Sequence, residues 1–423
     1  MKISGKFPRY EAFDPVVPVY CVTPGIGRSI HRFFDTSPFS PSGRYLAVFR
    51  MPFEDRLPEP GDCGEVVLID LEEAEETVVA KTRGWEPQMG ANLQWGATDE
   101  VLLFNDVDPS GWEPHGVRLN PLTGERKKLA GGVYKASPDG RHVLAANMLT
   151  MQRTQYGYGV IVPEERVPRN QELASDDGLY ITDTETGESR LLVSLKQVME
   201  TAQPQIPLDP TQWEFYGFHS KYNPQGTRLI FTIRWFSKDI EPKIDVMSQR
   251  ALRFAVFTMK PDGTDIRTAV GPEQWAKGGH HINWFPDGEH LSMNLNIDED
   301  GMRFVKVRWD GVGLQKILDD TLGSGHPTIH PNGRQLLTDV YAHESLAYDD
   351  GTTPLRLLDL HTGAETTLAR FHTRTEHQKK HSVLRVDPHP AWDHSHKFVA
   401  FNAYVGGTRR VYVADLRSVL APC

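Results

Sequence analysis

The sequence predicts an all-β protein, a seven-bladed β-propeller with four-stranded antiparallel blades. Three observations carry the prediction. One turn motif recurs seven times along 423 residues. A second alternating strand with its own polar turn follows most copies. No long helical stretch interrupts them.

The motif is an aromatic or apolar residue, a small or aromatic residue with Pro, a polar residue and Gly, then a β-rich run. It reads Phe39-Ser-Pro-Ser-Gly43, Ala136-Ser-Pro-Asp-Gly140, Tyr222-Asn-Pro-Gln-Gly226, Trp284-Phe-Pro-Asp-Gly288 and Ile329-His-Pro-Asn-Gly333. Degenerate copies run from Trp95 to Asp99 and from Trp392 to His396. Pro presets φ and Gly accepts positive φ, so each copy is a turn between two strands.

The second element appears as Val66–Leu71, Val117–Gly124, Leu179–Gly187, Ala255–Gly263, Val305–Gly311, Leu355–Gly363 and Val411–Leu416. Each unit therefore holds two hairpins. Seven such units form a closed propeller, because a blade alone cannot bury both faces. The prediction is one propeller over residues 1–423, with an inserted loop at 148–176 and a short helix at Leu195–Ala202. The last blade lacks an outer strand, which the segment around Val17–Val22 is expected to supply.

Composition narrows the function. A net charge of −10 and a pI near 5.9 argue against a nucleic-acid partner. Cys21, Cys63 and Cys423 form no spacing pattern and are odd in number, so no disulfide framework is expected. No apolar run approaches the ~18 residues of a membrane span. The segment from Met1 to Tyr10 has no apolar leader. The expectation is a soluble, cytoplasmic protein with no membrane partner.

The repeat supplies a ruler. Seven residues before each turn glycine, or its replacement, stand Thr36, Asn92, Val133, His219, His281, His326 and His389. Innermost propeller strands line the central channel. Four histidines at one level on consecutive blades would converge there, although the chain has only 17 in all. Clustered neutral imidazoles are metal ligands. Asp387, two residues before His389, falls on the same face if the strand alternates. His281, His326, Asp387 and His389 are thus a candidate mixed N/O site for Mn, with Zn or Ca as alternatives. The plainer reading is that these histidines hydrogen-bond the blade hairpins.

Weaker candidates surround the ruler. Met148–Gly159 mixes Gln, Arg and aromatic residues and could cover the site or pack on the rim. Arg385, Lys221 and Arg153 are candidate contacts for an anionic ligand, against the ordinary expectation of solvated surface charge. His115, His343, His372, His377 and His381 lie off the ruler and read as surface residues. Gly278-Gly279 and Gly406-Gly407 read as turns, since no helix follows to make a phosphate loop. No GxSxG elbow and no HExxH is present.

The stretches from His219 to Pro224, from Gly279 to Gly288 and from Asp387 to Trp392 resemble the oligogalacturonate lyases. These are cytoplasmic seven-bladed propellers that split small pectin oligomers by β-elimination with a divalent metal, usually manganese. The resemblance runs over about residues 30–415, and its specific matches are confined to the histidine-bearing turns. It implies His219 as the catalytic base and His281 and His389 as metal ligands. Asp387 stands where the family has a histidine ligand, and Leu384 where it has a glutamine; His326 could compensate.

The implied activity is a carbon–oxygen lyase acting on an anionic, uronate-containing oligosaccharide. A cation neutralises the C6 carboxylate, a base removes the C5 proton, and O4 departs. Two rivals remain at this point. One is a non-catalytic propeller that binds a protein or sugar. The other is a propeller hydrolase, for which Asp387 and Asp339 would be the carboxylate pair.

Overall fold

The computed structural model describes residues 1–240, 252–298, 301–379 and 382–420. His381 and Cys423 lie outside them. Cys21 and Cys63 are free thiols.

The chain is a seven-bladed β-propeller. Seven four-stranded antiparallel sheets follow one another in sequence order. Blade one runs Ser29–Ile30, Tyr45–Arg50, Gly64–Asp70 and Glu75–Thr82 from inside to outside. Blade four has the longest inner strands, Trp213–Tyr222 and Leu229–Ser237. In blade seven, Ala391–Trp392, Phe398–Tyr404 and Arg409–Asp415 are completed by Val19–Cys21, paired Val19↔Ala414 and Cys21↔Tyr412. The first strand of the chain thus ties to the last, and the ring closes. The short helix spans Leu195–Thr201, capped by the Ser194 side chain. No helix of the described residues is long and apolar enough to cross a membrane.

The turn motif does what its chemistry dictates. Gly43, Gly140, Gly226, Gly288 and Gly333 all take φ between 68° and 76°. In blade seven His396 occupies that conformation at φ 54°. Asp393 compensates by accepting hydrogen bonds from the Ser395, Lys397 and Phe398 amides. The tryptophan four residues before the turn glycine, or its replacement, joins neighbouring blades. Trp95 donates to the Pro38 carbonyl, Trp284 to the Lys221 carbonyl and Trp392 to Thr328 Oγ1.

Core side chains pack between blades. Leu144 and Leu179 of blade three join Phe215, Phe231 and Phe257 of blade four in one buried cluster. At ~25 cal/mol per Å² of buried apolar surface, such seams dominate the stability of a ring whose sheets have no other covering.

Candidate functional site

The four ruler histidines converge. They surround Phe33, a fully buried residue of blade one, with ring-centroid distances of 5.5 Å to His219, 6.1 Å to His281, 5.7 Å to His326 and 4.7 Å to His389. The His281 and His326 rings lie 3.8 Å apart, and those of His326 and His389 4.4 Å.

The local backbone is unusual at these positions. His219 and His281 sit in β-bulges of their inner strands, between Gly217 and Ser220 and between His280 and Asn283. His281, His389 and the blade-two equivalent Asn92 adopt φ of 61°, 49° and 58°. A bulge adds a residue and re-aims a side chain, and non-glycine residues at positive φ cluster at functional sites. Asp387 and His389 come together through this bend. The strand alternation expected from the sequence is absent, since the strand begins only at Ala391.

Three of the four expected metal ligands form a compact donor set. One donor atom each from His326, Asp387 and His389 lies within 4.8 Å of the others, and all three residues are buried. His326 Nδ1 faces both Asp339 carboxylate oxygens at 2.9 Å, so it is the protonated nitrogen. Its Nε2, and both ring nitrogens of His389, are buried without a hydrogen-bond partner. Buried polar atoms are rarely left unpaired, and orphaned imidazole nitrogens beside a carboxylate fit a divalent cation. Two nitrogens and one oxygen suit Mn or Zn. They do not suit Ca, which takes oxygen ligands.

His281 stands apart from this set. Its Nδ1 is 2.6 Å from the Gly325 carbonyl and its Nε2 3.2 Å from the Tyr341 hydroxyl. It borders the donors without offering a free nitrogen.

A cavity of about 1050 Å³ opens beside the histidines. His219, His281, Tyr341, Tyr158, Arg234, Arg153 and Arg385 line it. The loop Gln152–Tyr158 forms part of its wall, with Arg153 donating to the Val167 carbonyl at 2.6 Å. Arg385 links the cavity to the donor set, because its Nε is 3.0 Å from each Asp387 oxygen. Burial works against the Arg385 charge, yet Asp387 raises its pKa. Leu384 carries no ligand; its carbonyl accepts from Arg409 at 2.6 Å.

Lys221 departs from the expectation. It lies beneath the cavity, 1% exposed, with Nζ 2.8 Å from Asp35 Oδ2 and 2.6 Å from the Ile282 carbonyl. Asp35 also pairs with Arg32 at 2.9 Å and Lys135 at 3.7 Å. Burial opposes the Asp35 charge, but Lys135, Lys221 and Arg32 together hold its pKa well below the carboxylate range.

The electrostatics keep three of the site's histidines neutral. Burial, then the Lys221 and Arg234 charges, hold the His219 imidazole well below its ordinary value. Burial and the neighbouring His326 do the same for His281 and His389. His219 Nε2 is buried with no partner.

The sequence reading missed Phe33, His280, Arg234 and Tyr341, and gave Asp339 a different role. One signal was available for Asp339. Six residues after the turn position stand Asn105, Asn294, Asp339 and Asn402 in blades two, five, six and seven. Three of them bond backbone at or beside a ruler position: Asn105 with Val133, Asn294 with the Gly325 carbonyl and Asp339 with the His326 amide; Asn402 accepts from the His31 amide, five residues before Thr36.

No family model matches the sequence, and no curated protein does. Solved structures do resemble it. An oligogalacturonate lyase in complex with manganese has a TM-score of 0.63 at 17% identity, covering 99% of this chain and 100% of that one. An oligogalacturonate lyase from Vibrio parahaemolyticus has a TM-score of 0.61 at 14% identity, covering 98% and 97%. A puromycin-hydrolyzing peptidase of Mycobacterium tuberculosis has a TM-score of 0.54 at 14% identity, covering 99% of this chain but 55% of that one. At these identities the likeness is one of fold.

Proposed function

We propose that the protein is a metal-dependent lyase that cleaves a uronate-containing oligosaccharide by β-elimination. One observation carries the reading. Orphaned donors of His326 and His389, with Asp387, lie beside a cavity that also holds an unpaired neutral histidine and arginines. The length-wide fold likeness to two oligogalacturonate lyases, one of them a manganese complex, supports it.

His326, Asp387 and His389 would hold the cation. When bound there, it supplies positive charge to the uronate carboxylate and so acidifies the adjacent C5 proton. The remaining work belongs to the chain. His219, neutral and unpartnered at Nε2, accepts the C5 proton. Its low basicity rises once an anionic substrate enters the same buried space, because a nearby negative charge favours imidazolium. Arg385 is the group at which cavity and donor set meet, and it orients the carboxylate while holding Asp387. Arg153, on the loop wall, is a further carboxylate contact. His281 shapes the floor, its ring tilted against that of His326 at 3.8 Å between centroids.

The test is incubation of metal-loaded protein with digalacturonate and trigalacturonate, reading the ultraviolet absorbance of an unsaturated uronate product. Absorbance that grows with native protein and not with chelated protein is the expected result. Binding without product would favour a sugar-binding propeller.

A further inference from the structure

β-Elimination moves two protons, and the mechanism above places one. His219 takes the proton from C5. The departing O4 leaves with the electron pair of the C4–O4 bond and must gain a proton of its own, because a bare sugar alkoxide is a poor leaving group.

Few groups in the cavity wall suit that task. His219, His280 and His281 are held neutral by burial, and a neutral imidazole has no acidic proton to give. Phenols are protonated at neutral pH and part with the proton more readily than other hydroxyls. Tyr156, Tyr158 and Tyr341 line the cavity.

Placement chooses among them. Tyr156 is 43% exposed, so water competes for it. Tyr158 stands on the wall of the base. Its ring is 6.4 Å from His219 and 5.2 Å from Phe218, which is stacked on His219. Tyr341 comes from blade six and stands on a separate wall. Its ring neighbours are His280, His281, His326 and His343. Those of His219 are Phe33, Tyr134, Tyr158 and Phe218, so among the described residues the two share none. In 1,4-linked galacturonate the C5–H and C4–O4 bonds are both axial and point to opposite faces of the ring. A base on one wall therefore calls for an acid on another.

The Tyr341 hydroxyl is already held. Its oxygen is 3.2 Å from His281 Nε2. His281 Nδ1 is 2.6 Å from the Gly325 carbonyl, which can only accept. The His281 proton is thus on Nδ1, Nε2 offers a lone pair, and the phenol is the donor. Tyr341 is half-buried, so solvent reaches it once product has left.

We infer that Tyr341 is the general acid that protonates the departing O4. The C5–H bond breaks and its proton goes to His219. A C4–C5 double bond forms, the C4–O4 bond breaks, and its electron pair leaves on O4. Tyr341 turns its O–H from His281 to O4 and delivers the proton. Water then restores the proton of Tyr341 and takes that of His219. The assignment rests on the lyase reading.

The experiment compares two leaving groups. Metal-loaded native protein and Tyr341→Phe are given digalacturonate, whose leaving oxygen needs a proton, and methyl 4-deoxy-4-fluoro-galacturonoside, whose fluoride leaves as a stable anion. Unsaturated product is read by ultraviolet absorbance and fluoride by electrode. With digalacturonate the variant should lose about a hundred- to ten-thousandfold in turnover. Its fluoride release should stay near the native rate. Its Mn²⁺ affinity should also be native, because the donor set is His326, Asp387 and His389.

Native turnover of digalacturonate by the variant would overturn the inference. Equal losses with both substrates would do the same, by making Tyr341 a support of the site. Where native protein acts on digalacturonate but releases no fluoride, exchange of the C5 proton in D₂O decides. Exchange by the variant without product supports a missing acid, and the absence of both overturns it. An undiminished Tyr341→Phe sinks this assignment alone. Native protein that forms no product from either substrate sinks the lyase reading and the assignment with it.

Discussion

His326 Nδ1 lies 2.9 Å from both carboxylate oxygens of Asp339, and both side chains are fully buried. The pairing fixes the imidazole tautomer and leaves Nε2 as the only lone pair that His326 can offer a cation. Asp339→Asn keeps the shape and removes the charge that raises ligand basicity. Its metal affinity should fall by roughly ten- to a hundredfold. Titration with Mn²⁺ and Zn²⁺ checks this, and an unchanged affinity would separate His326 from metal binding.

Metal should stabilise the fold, because the donor set exists only in the native state. At a hundredfold excess over Kd, one site contributes about 2.7 kcal/mol. Melting of chelated protein with and without added Mn²⁺ measures it. His389→Ala should abolish the shift while leaving the chelated protein folded. An equal shift in that variant would place the ion elsewhere.

Replacing the base should separate chemistry from binding. His219→Ala should lower turnover by about a hundred- to ten-thousandfold. Metal stoichiometry should not change, since His219 contributes no atom to the donor set. A variant with native turnover would remove His219 from the reaction.

Buried neutral histidines make stability depend on pH. Burial pulls both His31 and His280 down to about 3. Above the unfolded value of ~6.5 neither state takes up a proton, and the stability is fully present. Below it the unfolded chain binds protons that the native protein refuses. Each residue then removes about 1.4 kcal/mol per pH unit, down to its folded value. Urea unfolding of chelated protein between pH 7 and 5 should show the decline, and His31→Gln should flatten it by one proton. An identical slope in that variant would show that His31 is already charged in the native state.

Much of this was legible in the sequence because it repeats. Turn glycines, alternating strands and the histidine ruler recur at fixed local spacing, so each copy supported the others. The first strand could be assigned to blade seven by counting what that blade lacked. Single-copy features were not legible. Phe33 and Arg234 belong to no repeat, and their surroundings come from blades distant in sequence. Lys221 was offered as an anion contact; its partner Asp35 lies on blade one, far off in sequence, and no local pattern announces that pairing. Asp339 lay on a second repeat, six residues after the turn, most of whose side chains bond backbone at or beside the ruler level.

Phe33 has a further consequence. It sits among all four histidines, and Lys221, one member of the Arg32–Asp35–Lys135–Lys221 charge cluster, lies with its Nζ 5.5 Å from the ring centroid. The ring is therefore stoppered, and the cavity is a cup where a tunnel might have been. What enters such a cup leaves by the rim over which it came.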